Sequence, residues 1–503
     1  MIKLYRQFNL FFKLLIAIAV AAFLVYYTHP SFNKMAFLLL LAVVWRTKND
    51  YFWLAFMLVL LDSPGGLFTG GTVYDPYRLP IYNLAPKVSF AIEELYMITL
   101  FIKAAVNRRS NAVFQDFTYN RQLRIIMMLL VILAIISFML GTSVTSLRNL
   151  FKNLINLSLF YSLIFVFQKH EDIVNFFKAL FPFAFVAILL QIYGMISGQQ
   201  LIALFRPDVT ITQGILTGDL LRPIEMAVVL LACGFGSLLF IGGRHGSFSF
   251  PYLLSINIVA FTSIIMTATR SWFLGFTSMY IFFIILNYRR IGSVMFKYSI
   301  GILVFVAIFN FVPKIGDQVR NSFTRFNTIM DLAAGDPTAG GTLVRLTERA
   351  PRVMEGFWNS TIIFGAGYSD LYFKYTDSHV GFHNILFQAG IIGILIILGF
   401  AGVVFIKPLR LAKISISHEY RDALRNLPLL IPAVMIINSA TQFWGYEVGG
   451  ARAILLSAYI AISGFYVSRV KSDLLTLGTS VKFDKTIDVL IKRSEKTNTV
   501  FRK

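Results

Sequence analysis

Two histidines stand four residues apart, directly before a long apolar segment. The stretch "SHVGFHNILFQAGIIGILIILGF" (378–400) contains His379, His383 and, beside the second, Asn384. A neutral imidazole accepts a proton near neutral pH, so a histidine at this point has the chemistry of a general base. Two histidines at this spacing also ligate metals, but the HEXXH pattern needs a glutamate where this chain has Val380. The pattern favours proton transfer, and we expect no metal site and no cofactor.

Arginine is the second residue type whose placement suggests chemistry. In "IIMTATRSWFLGF", Arg270 lies between two apolar segments, where an ionisable group is costly and usually faces the interior of a helix bundle. Arg345, Arg349 and Arg352 have a spacing that would place them on one helix face, but Pro351 interrupts such a helix unless it opens a new one. Because guanidinium binds phosphate or carboxylate through two donors, these residues predict an anionic ligand.

Two further features complete the predicted binding residues. Arg222 lies in a connecting segment that we expect on the same side of the membrane as the other arginines. Gly365 and Gly367, in "GAG", form a tight turn whose backbone N–H groups can approach an anion. For any single arginine, contact with lipid headgroups is the alternative explanation.

The elements that must position these residues are membrane helices. The chain has 503 residues, of which 57% are hydrophobic and only 14% charged, so it lacks the polar surface of a soluble domain. Apolar segments recur along it and predict an all-α, polytopic membrane protein with about 12–14 transmembrane helices, of which 33–45 and 51–61 are short for a bilayer. We expect "ILFQAGIIGILIILGF" to be uninterrupted. The predicted segments are 9–27, 33–45, 51–61, 88–106, 125–140, 150–167, 173–196, 223–241, 250–268, 271–287, 295–313, 384–406, 427–443 and 452–468.

Charge predicts the orientation of these segments. The net charge of +21 would suggest nucleic acid in a soluble protein, but in a membrane protein cytoplasmic loops collect Lys and Arg. Sorting the charges by side predicts both termini in the cytoplasm, and no nucleic-acid partner. The domains expected are a helical bundle (1–313), one large periplasmic loop carrying the active site (314–383), C-terminal transmembrane helices (384–470) and a basic cytoplasmic tail (471–503).

The order of several motifs resembles a known family. "TATRSW", "VRL", Trp358, "IIFGAG" and "HN" before "AGIIGILIIL" follow one another over about 267–400. This pattern is similar to the superfamily of O-antigen ligases and O-antigen polymerases of the bacterial envelope. The extra Arg349, Pro351 and Arg352 and the long basic tail depart from it and leave the arginine assignment open.

The resemblance implies a location, a reaction and residue roles. Such proteins lie in the bacterial inner membrane and take a glycan from an undecaprenyl pyrophosphate carrier. They transfer it to a hydroxyl of a second glycan, either on lipid A-core or on another lipid carrier. By this resemblance His383 is the base, Arg345 and Arg270 stabilise the departing diphosphate, and Asn384 orients His383 or caps the following helix.

Three alternatives remain open. A repeat-unit polymerase of the same superfamily would perform the same chemistry on a lipid-linked acceptor. A polysaccharide or lipid transporter would also have many membrane spans, but we find no internal repeat of the kind such folds often show. A lipid-linked glycosyltransferase using Asp62 or Asp75 is the third alternative, although both carboxylates lie in a turn-rich stretch.

Overall fold

The part of the protein that the structure describes is almost entirely helical. The structure is a computed structural model that describes residues 2–68, 79–85, 88–107, 117–205, 226–241, 247–288, 316–320, 322–323, 344–415, 418–446 and 448–476. The helices before residue 290 are α1 (Ile2–Tyr27), α2 (Pro30–Arg46), α3 (Asp50–Leu61), α4 (Ile92–Asn107), α5 (Asn120–Met139), α6 (Val144–Ser162), α7 (His170–Leu180), α8 (Phe183–Ser197), α9 (Ala227–Phe240), α10 (Phe250–Met266) and α11 (Arg270–Asn287). The later helices are α12 (Ala350–Trp358), α13 (Asp370–Tyr375), α14 (Gly381–Ile414), α15 (His418–Asn426), α16 (Leu430–Ala440) and α17 (Gly450–Thr476).

The helices support the prediction of a membrane protein. In the described part of the chain, six helical stretches are long and apolar enough to cross a bilayer. Each predicted segment overlaps a helix except 295–313, which lies outside the described residues, and 173–196 covers two helices, α7 and α8. The number of spans stays a prediction. The six stretches are Phe8–Tyr27, Asn120–Met139, His170–Ser197, Gly381–Ile414, Tyr420–Ala440 and Gly450–Leu474.

A short hairpin departs from the all-helical prediction. Strands β1 (Ile81–Ala85) and β2 (Val88–Ala91) pair antiparallel, and α4 begins directly after β2. The prediction of helix from residue 88 was therefore wrong for its first turn. The carboxylate of Glu94 accepts the Ala91 N–H at 2.7 Å and pairs with Lys152 of α6 at 2.8 Å.

Burial separates central helices from peripheral ones. In the most apolar stretch of α17, 83% of the residues are buried, whereas in that of α1 only 28% are buried. Helix α17 contacts α3, α6 and α9, so it lies at the centre of the bundle. Large apolar side chains on α1 and α5, such as Ile16 and Met128, are exposed, as expected of surfaces that face lipid.

Helix α14 is broken at Gly390, so the prediction of an uninterrupted helix was wrong. Gly390 has φ 64° and ψ −166°, a backbone conformation open essentially only to glycine. A break frees backbone N–H and C=O groups that would be costly to leave unpaired in a bilayer. They are paired by residues 361–367. The amides of Ile391 and Ile392 donate to the carbonyls of Ile362 and Ile363 (both 3.1 Å), and those of Ala366 and Gly367 donate to the carbonyls of Phe387 and Gln388 (both 2.8 Å).

Residues 344–380 of the predicted outer loop fold into a small unit that rests on the bundle. Its apolar core includes the fully buried Tyr372. The carboxylate of Asp370 accepts hydrogen bonds from the Ser143 backbone (2.9 Å), the Ser143 hydroxyl (2.7 Å) and the Ser146 hydroxyl. These bonds join the loop to the N-terminus of α6. The loop is thus held against the helices at a fixed place.

Candidate functional site

One cavity brings together ionisable residues from distant parts of the chain. It has a volume of about 530 Å³ and lies between the loop unit and the bundle. Its charged and titratable lining residues are Asp62, Arg270, Arg345, His379 and Arg452. Every one of them belongs to a segment that the charge pattern predicts on the outer side. The cavity therefore contains both arginines to which the family resemblance assigns a catalytic role.

Helix N-termini add to the positive charge of this cavity. Among the described residues, three helices begin at it: α9 at Ala227, α11 at Arg270 and α17 at Gly450. The first N–H groups of a helix have no partner within the helix and carry a partial positive charge, which favours a bound anion. Thr269, which precedes α11, makes no side-chain cap. The cavity is thus positive both in its side chains and in its backbone.

A tight turn determines the position of Arg270. Ala268 has a positive φ of 51°, and the Ala268 N–H donates to Ile265 at 3.0 Å. This turn ends α10 and starts α11 within four residues. On the other side of the turn, Trp272 packs edge-on against Phe443 with ring centroids 5.6 Å apart. Arg270 is consequently the first residue of its helix and lines the cavity.

The three arginines of the loop have different surroundings. Residues Arg345–Arg349 form a single π-helical turn, in which the Ala350 N–H donates to the Arg345 carbonyl, and Pro351 then opens α12. Pro351 thus stands in the first turn of α12, which is the exception that the sequence left open. Arg352 pairs with Asp377 at 2.8 Å and Arg349 pairs with it at 3.5 Å. Only Arg345 lines the cavity.

Arg345 makes no ion pair within the part of the chain that the structure describes. Burial and the charges of Arg349 and Arg270 lower the pKa of its guanidinium. It nevertheless stays charged at neutral pH, because the ordinary pKa of arginine lies so high. Two guanidinium groups that repel one another across a cavity are stabilised by an anion placed between them.

The turn at 377–380 carries His379 into the cavity. The Asp377 carboxylate accepts the His379 backbone N–H at 2.9 Å. Asn384, which is fully buried, accepts the Asp377 N–H at 3.1 Å and donates to the Asp377 carbonyl at 2.6 Å and to Gln442 at 3.1 Å. The Gln442 N–H in turn donates to the Ser378 carbonyl at 2.7 Å. Asn384 therefore positions the turn before the helix. It does not cap α14, whose N-cap residue is Val380.

The two histidines lie in different local structures. Helix α14 begins at Gly381, so His383 belongs to its first turn and His379 precedes it. They do not share one helix face. His379 lines the cavity with Arg270 and Arg345, and its Nδ1 atom is buried without a hydrogen-bond partner. His383 is half-buried and is not among the lining residues. The role of His383 as base stays a prediction.

The glycines of the "GAG" turn lie at the break of α14. Gly365 and Gly367 have φ of 74° and 61°, and a Cβ atom at either position would overlap the backbone of neighbouring helices. The amides of Ala366 and Gly367 already donate to carbonyls of α14. Neither glycine lines the cavity, so the turn packs the loop against the broken helix. The positions of Gly365 and Gly367 therefore do not support the predicted contact between this turn and an anion.

Arg222, the remaining predicted binding residue, lies outside the described residues. Within those that are described, no group of three or more His, Cys, Asp or Glu side chains is arranged to hold a metal ion.

Sequence reasoning did not select two residues of the cavity. Arg452 lies in the first turn of α17, much as Arg270 begins α11, and it donates to the Gln442 carbonyl at 2.5 Å. Arg452 and Arg270 share one sequence signal, because each follows a short outer turn and stands at the start of an apolar helix. Asp62 was considered only for another class of glycosyltransferase. Its carboxylate accepts the Val229 N–H at 2.7 Å and so caps α9 across the cavity.

Comparisons with protein-family models, with curated proteins and with solved structures find no match to this chain. The functional argument therefore depends on the cavity.

Proposed function

We propose that this protein is a membrane glycan transferase of the O-antigen ligase type, which uses an undecaprenyl-pyrophosphate-linked glycan as donor. The observation that carries the proposal is the cavity in which Arg270, Arg345 and Arg452 meet the N-termini of α11 and α17. Such a site suits a ligand with several negative charges. Its volume of about 530 Å³ lies within the range of small-molecule sites, about 300–1,000 Å³.

A lipid-linked diphosphate fits both the charge and the location of this cavity. The cavity lies at the ends of membrane helices, where a lipid carrier can present its headgroup while its chain stays in the bilayer. Asp62 is the single carboxylate among the described residues that line the cavity, and it is occupied in capping α9. The net field is therefore positive and favours a polyanion over a neutral sugar alone.

The residues of the cavity match the requirements of glycan transfer. The bond between the anomeric carbon and the diphosphate oxygen breaks, the diphosphate departs with the bonding electrons, and an acceptor hydroxyl oxygen forms the new bond to carbon. Arginine donors that are already in place stabilise the charge that develops on the departing oxygen. A histidine at the cavity removes the hydroxyl proton.

Two versions of this function differ in the molecule that accepts the glycan. A ligase transfers the glycan to lipid A-core, whereas a polymerase transfers it to a second lipid-linked glycan. Both use the same donor and the same proton transfer. We favour the ligase because the sequence pattern of the loop is closer to that branch. The proposed setting is the bacterial inner membrane, with the cavity on the periplasmic side.

The proposal is tested by measuring donor-headgroup binding to the full-length protein in lipid nanodiscs. We expect undecaprenyl diphosphate to bind, and inorganic pyrophosphate to compete with it. Undecaprenyl monophosphate should bind more weakly because it offers fewer oxygens to the guanidinium groups. A protein that binds none of the three, or that binds all three equally, would contradict the proposal.

A further inference from the structure

Three large apolar side chains are exposed on one short part of the outer loop unit. Trp358 ends α12, and Ile362 and Ile363 follow it, with exposed fractions of 63%, 44% and 56%. Between Glu355 and Asp370 the chain has no charged residue. Single apolar residues scattered over a surface are normal, whereas a group of them so close together indicates a surface that something covers.

Backbone hydrogen bonds fix the place of this apolar segment along α14. The Ile391 and Ile392 N–H groups donate to the carbonyls of Ile362 and Ile363, both at 3.1 Å. The side chains of Ile391 and Leu395, on this part of α14, are 46% and 62% exposed. Helix α14 is long and apolar enough to cross a bilayer, so its exposed apolar side chains face lipid. The loop segment is therefore continuous with a lipid-facing surface.

The length of α14 gives the depth of this contact. The 16 residues from Ile391 to Ile406 are uncharged, and Lys407 follows at the end that the charge pattern predicts on the inner side. At about 1.5 Å per residue these residues span about 24 Å, which is less than the roughly 30 Å of a hydrocarbon core. The core therefore extends outward past Ile391, and Ile362 lies beside it within the outer leaflet.

The hydroxyl groups of this segment have partners within the protein. The Ser360 hydroxyl donates to the Phe357 carbonyl at 2.7 Å, and the Thr361 hydroxyl donates to the Gly365 carbonyl at 2.6 Å. Hydrocarbon offers no hydrogen bonds, so a polar group can lie in it at low cost only when its partner is internal. Both hydroxyls meet this requirement.

Helix α12 ends closer to the outer surface of the membrane. A Cβ atom at Gly356 would lie 2.7 Å from the Phe387 ring, and Phe387 precedes the break in α14, toward its outer end. Trp358 and the exposed Asn359 thus lie near the headgroups, the level at which tryptophan is enriched in membrane proteins. The two isoleucines lie deeper.

We propose that residues 358–363 of the outer loop insert into the outer leaflet of the bilayer. Trp358 lies among the headgroups, and Ile362 and Ile363 contact acyl chains beside Ile391, in the manner of an interfacial anchor. The partner is lipid, because the segment is uncharged and adjoins the lipid-facing side of α14. The predicted outer loop therefore returns into the membrane, which holds the unit that carries Arg345 at a fixed height relative to the bilayer.

Spin-label accessibility tests this insertion in the full-length protein, reconstituted into vesicles of phosphatidylcholine and phosphatidylglycerol. In a Cys233→Ala background, Ile362→Cys and Ile363→Cys each carry a nitroxide. The controls are Leu395→Cys on the lipid-facing side of α14 and Arg320→Cys on the outer loop, both at exposed positions. Oxygen concentrates in the bilayer, whereas a nickel chelate stays in water. We expect the labels at 362 and 363 to collide several-fold more often with oxygen than with the chelate, as at 395, and the label at 320 to show the reverse.

Two results would overturn the proposal. Labels at 362 and 363 that collide mainly with the nickel chelate, as at 320, would place the segment in water. Labels that neither reagent reaches would show that a second copy of the chain or another protein covers it.

Trp358 provides a measurement that needs no label. The difference in fluorescence between the wild type and Trp358→Phe reports this residue alone. It should fall when lipids brominated on their acyl chains replace ordinary ones, because bromine quenches tryptophan only on close contact. A difference that brominated lipids leave unchanged would also contradict the insertion.

Discussion

Asp377 pairs with both Arg349 and Arg352, and Arg345 is left to face the cavity. The ion pairs at 3.5 and 2.8 Å give the first two arginines a structural task, because they hold α12 against the turn that carries His379. One carboxylate therefore separates arginines that support the site from the arginine that can bind a ligand. At the scale of single residues, a side chain's counter-ion indicates its role.

Arg270→Lys and Arg345→Lys should each behave almost like a change to alanine. A lysine keeps the charge but cannot grip two phosphate oxygens at once. We expect a loss of about 2–4 kcal/mol in transition-state stabilisation, or roughly 30- to 900-fold in rate. The initial rate of glycan transfer by purified protein measures the effect.

Arg320→Lys is the control for these two substitutions. Its side chain is 80% exposed and lies 3.7 Å from Asp317, so lysine should replace it without loss. Near-normal transfer by the Arg270 and Arg345 variants, at normal protein levels, would show that neither guanidinium grips the donor.

Asn384→Ala should slow transfer by loosening the turn at 377–380. The substitution removes three hydrogen bonds that Asn384 makes with Asp377 and Gln442. A hydrogen bond contributes about 0.5–1.5 kcal/mol to stability, so the thermal unfolding temperature should fall as well. Asn384→Ala protein with wild-type rate and unfolding temperature would contradict this role.

At the scale of elements, the break in α14 joins the outer loop to the bundle. Residues 361–367 pair with the backbone groups that Gly390 frees, so the loop and the helix complete one another. The same helix carries Asn384 in its first turn. Disturbing the break should therefore affect both stability and the site.

Gly390→Ala should destabilise the protein, whereas two other glycines of the same helix should tolerate the change. The φ of 64° at Gly390 costs a non-glycine residue about 1–3 kcal/mol, and its Cβ atom would also overlap the Ile363 carbonyl. At Gly399 and Gly402 a Cβ atom meets nothing within 4 Å. Alanine there should be neutral or slightly stabilising. Thermal unfolding of the three purified variants gives the comparison, and equal unfolding temperatures would contradict the broken-helix account.

At the scale of the whole molecule, residues predicted to share a side of the membrane lie together. A second cavity, of about 410 Å³, is lined by Lys48, Asp50, Lys103, Lys169 and Asp172, all from segments predicted on the inner side. Lys103 and Asp50 form an ion pair at 2.5 Å there. Neither cavity is lined by charged residues from both predicted sides of the membrane. This agrees with the sides that the charge pattern assigns to the connecting segments.

Cysteine labelling tests the orientation itself. In a Cys233→Ala background, we expect Asn359→Cys to react with a membrane-impermeant reagent added to intact cells and Ser472→Cys to react only after the cells are opened. Both positions are exposed, so access is decided by the membrane. Labelling of Ser472→Cys from outside would reverse the orientation and place the cavity in the cytoplasm.

The sequence was sufficient for features that depend on local pattern. Recurring apolar segments located most of the helices, and the placement of Arg270 between two of them indicated that it faces the interior of the bundle. The sequence was not sufficient for features that depend on contacts between residues far apart in the chain. Glycines are common in membrane helices, so the break at Gly390 depends on partners at 361–367 that no pattern links to it. Likewise, the distinction between His379 and His383 depends on where α14 starts and on the bonds of Asn384.

The measurement that tests the central claim most directly is the glycan content of a bacterial strain lacking this protein. Surface glycan is read on a gel and the lipid-linked pool by mass spectrometry. We expect long glycans to accumulate on undecaprenyl pyrophosphate while lipid A-core stays bare. Wild-type protein should reverse this, and the double variant Arg270→Lys, Arg345→Lys should not. A single repeat unit on lipid A-core would indicate the polymerase version, whereas normal long-chain glycan with no lipid-linked accumulation would contradict the account.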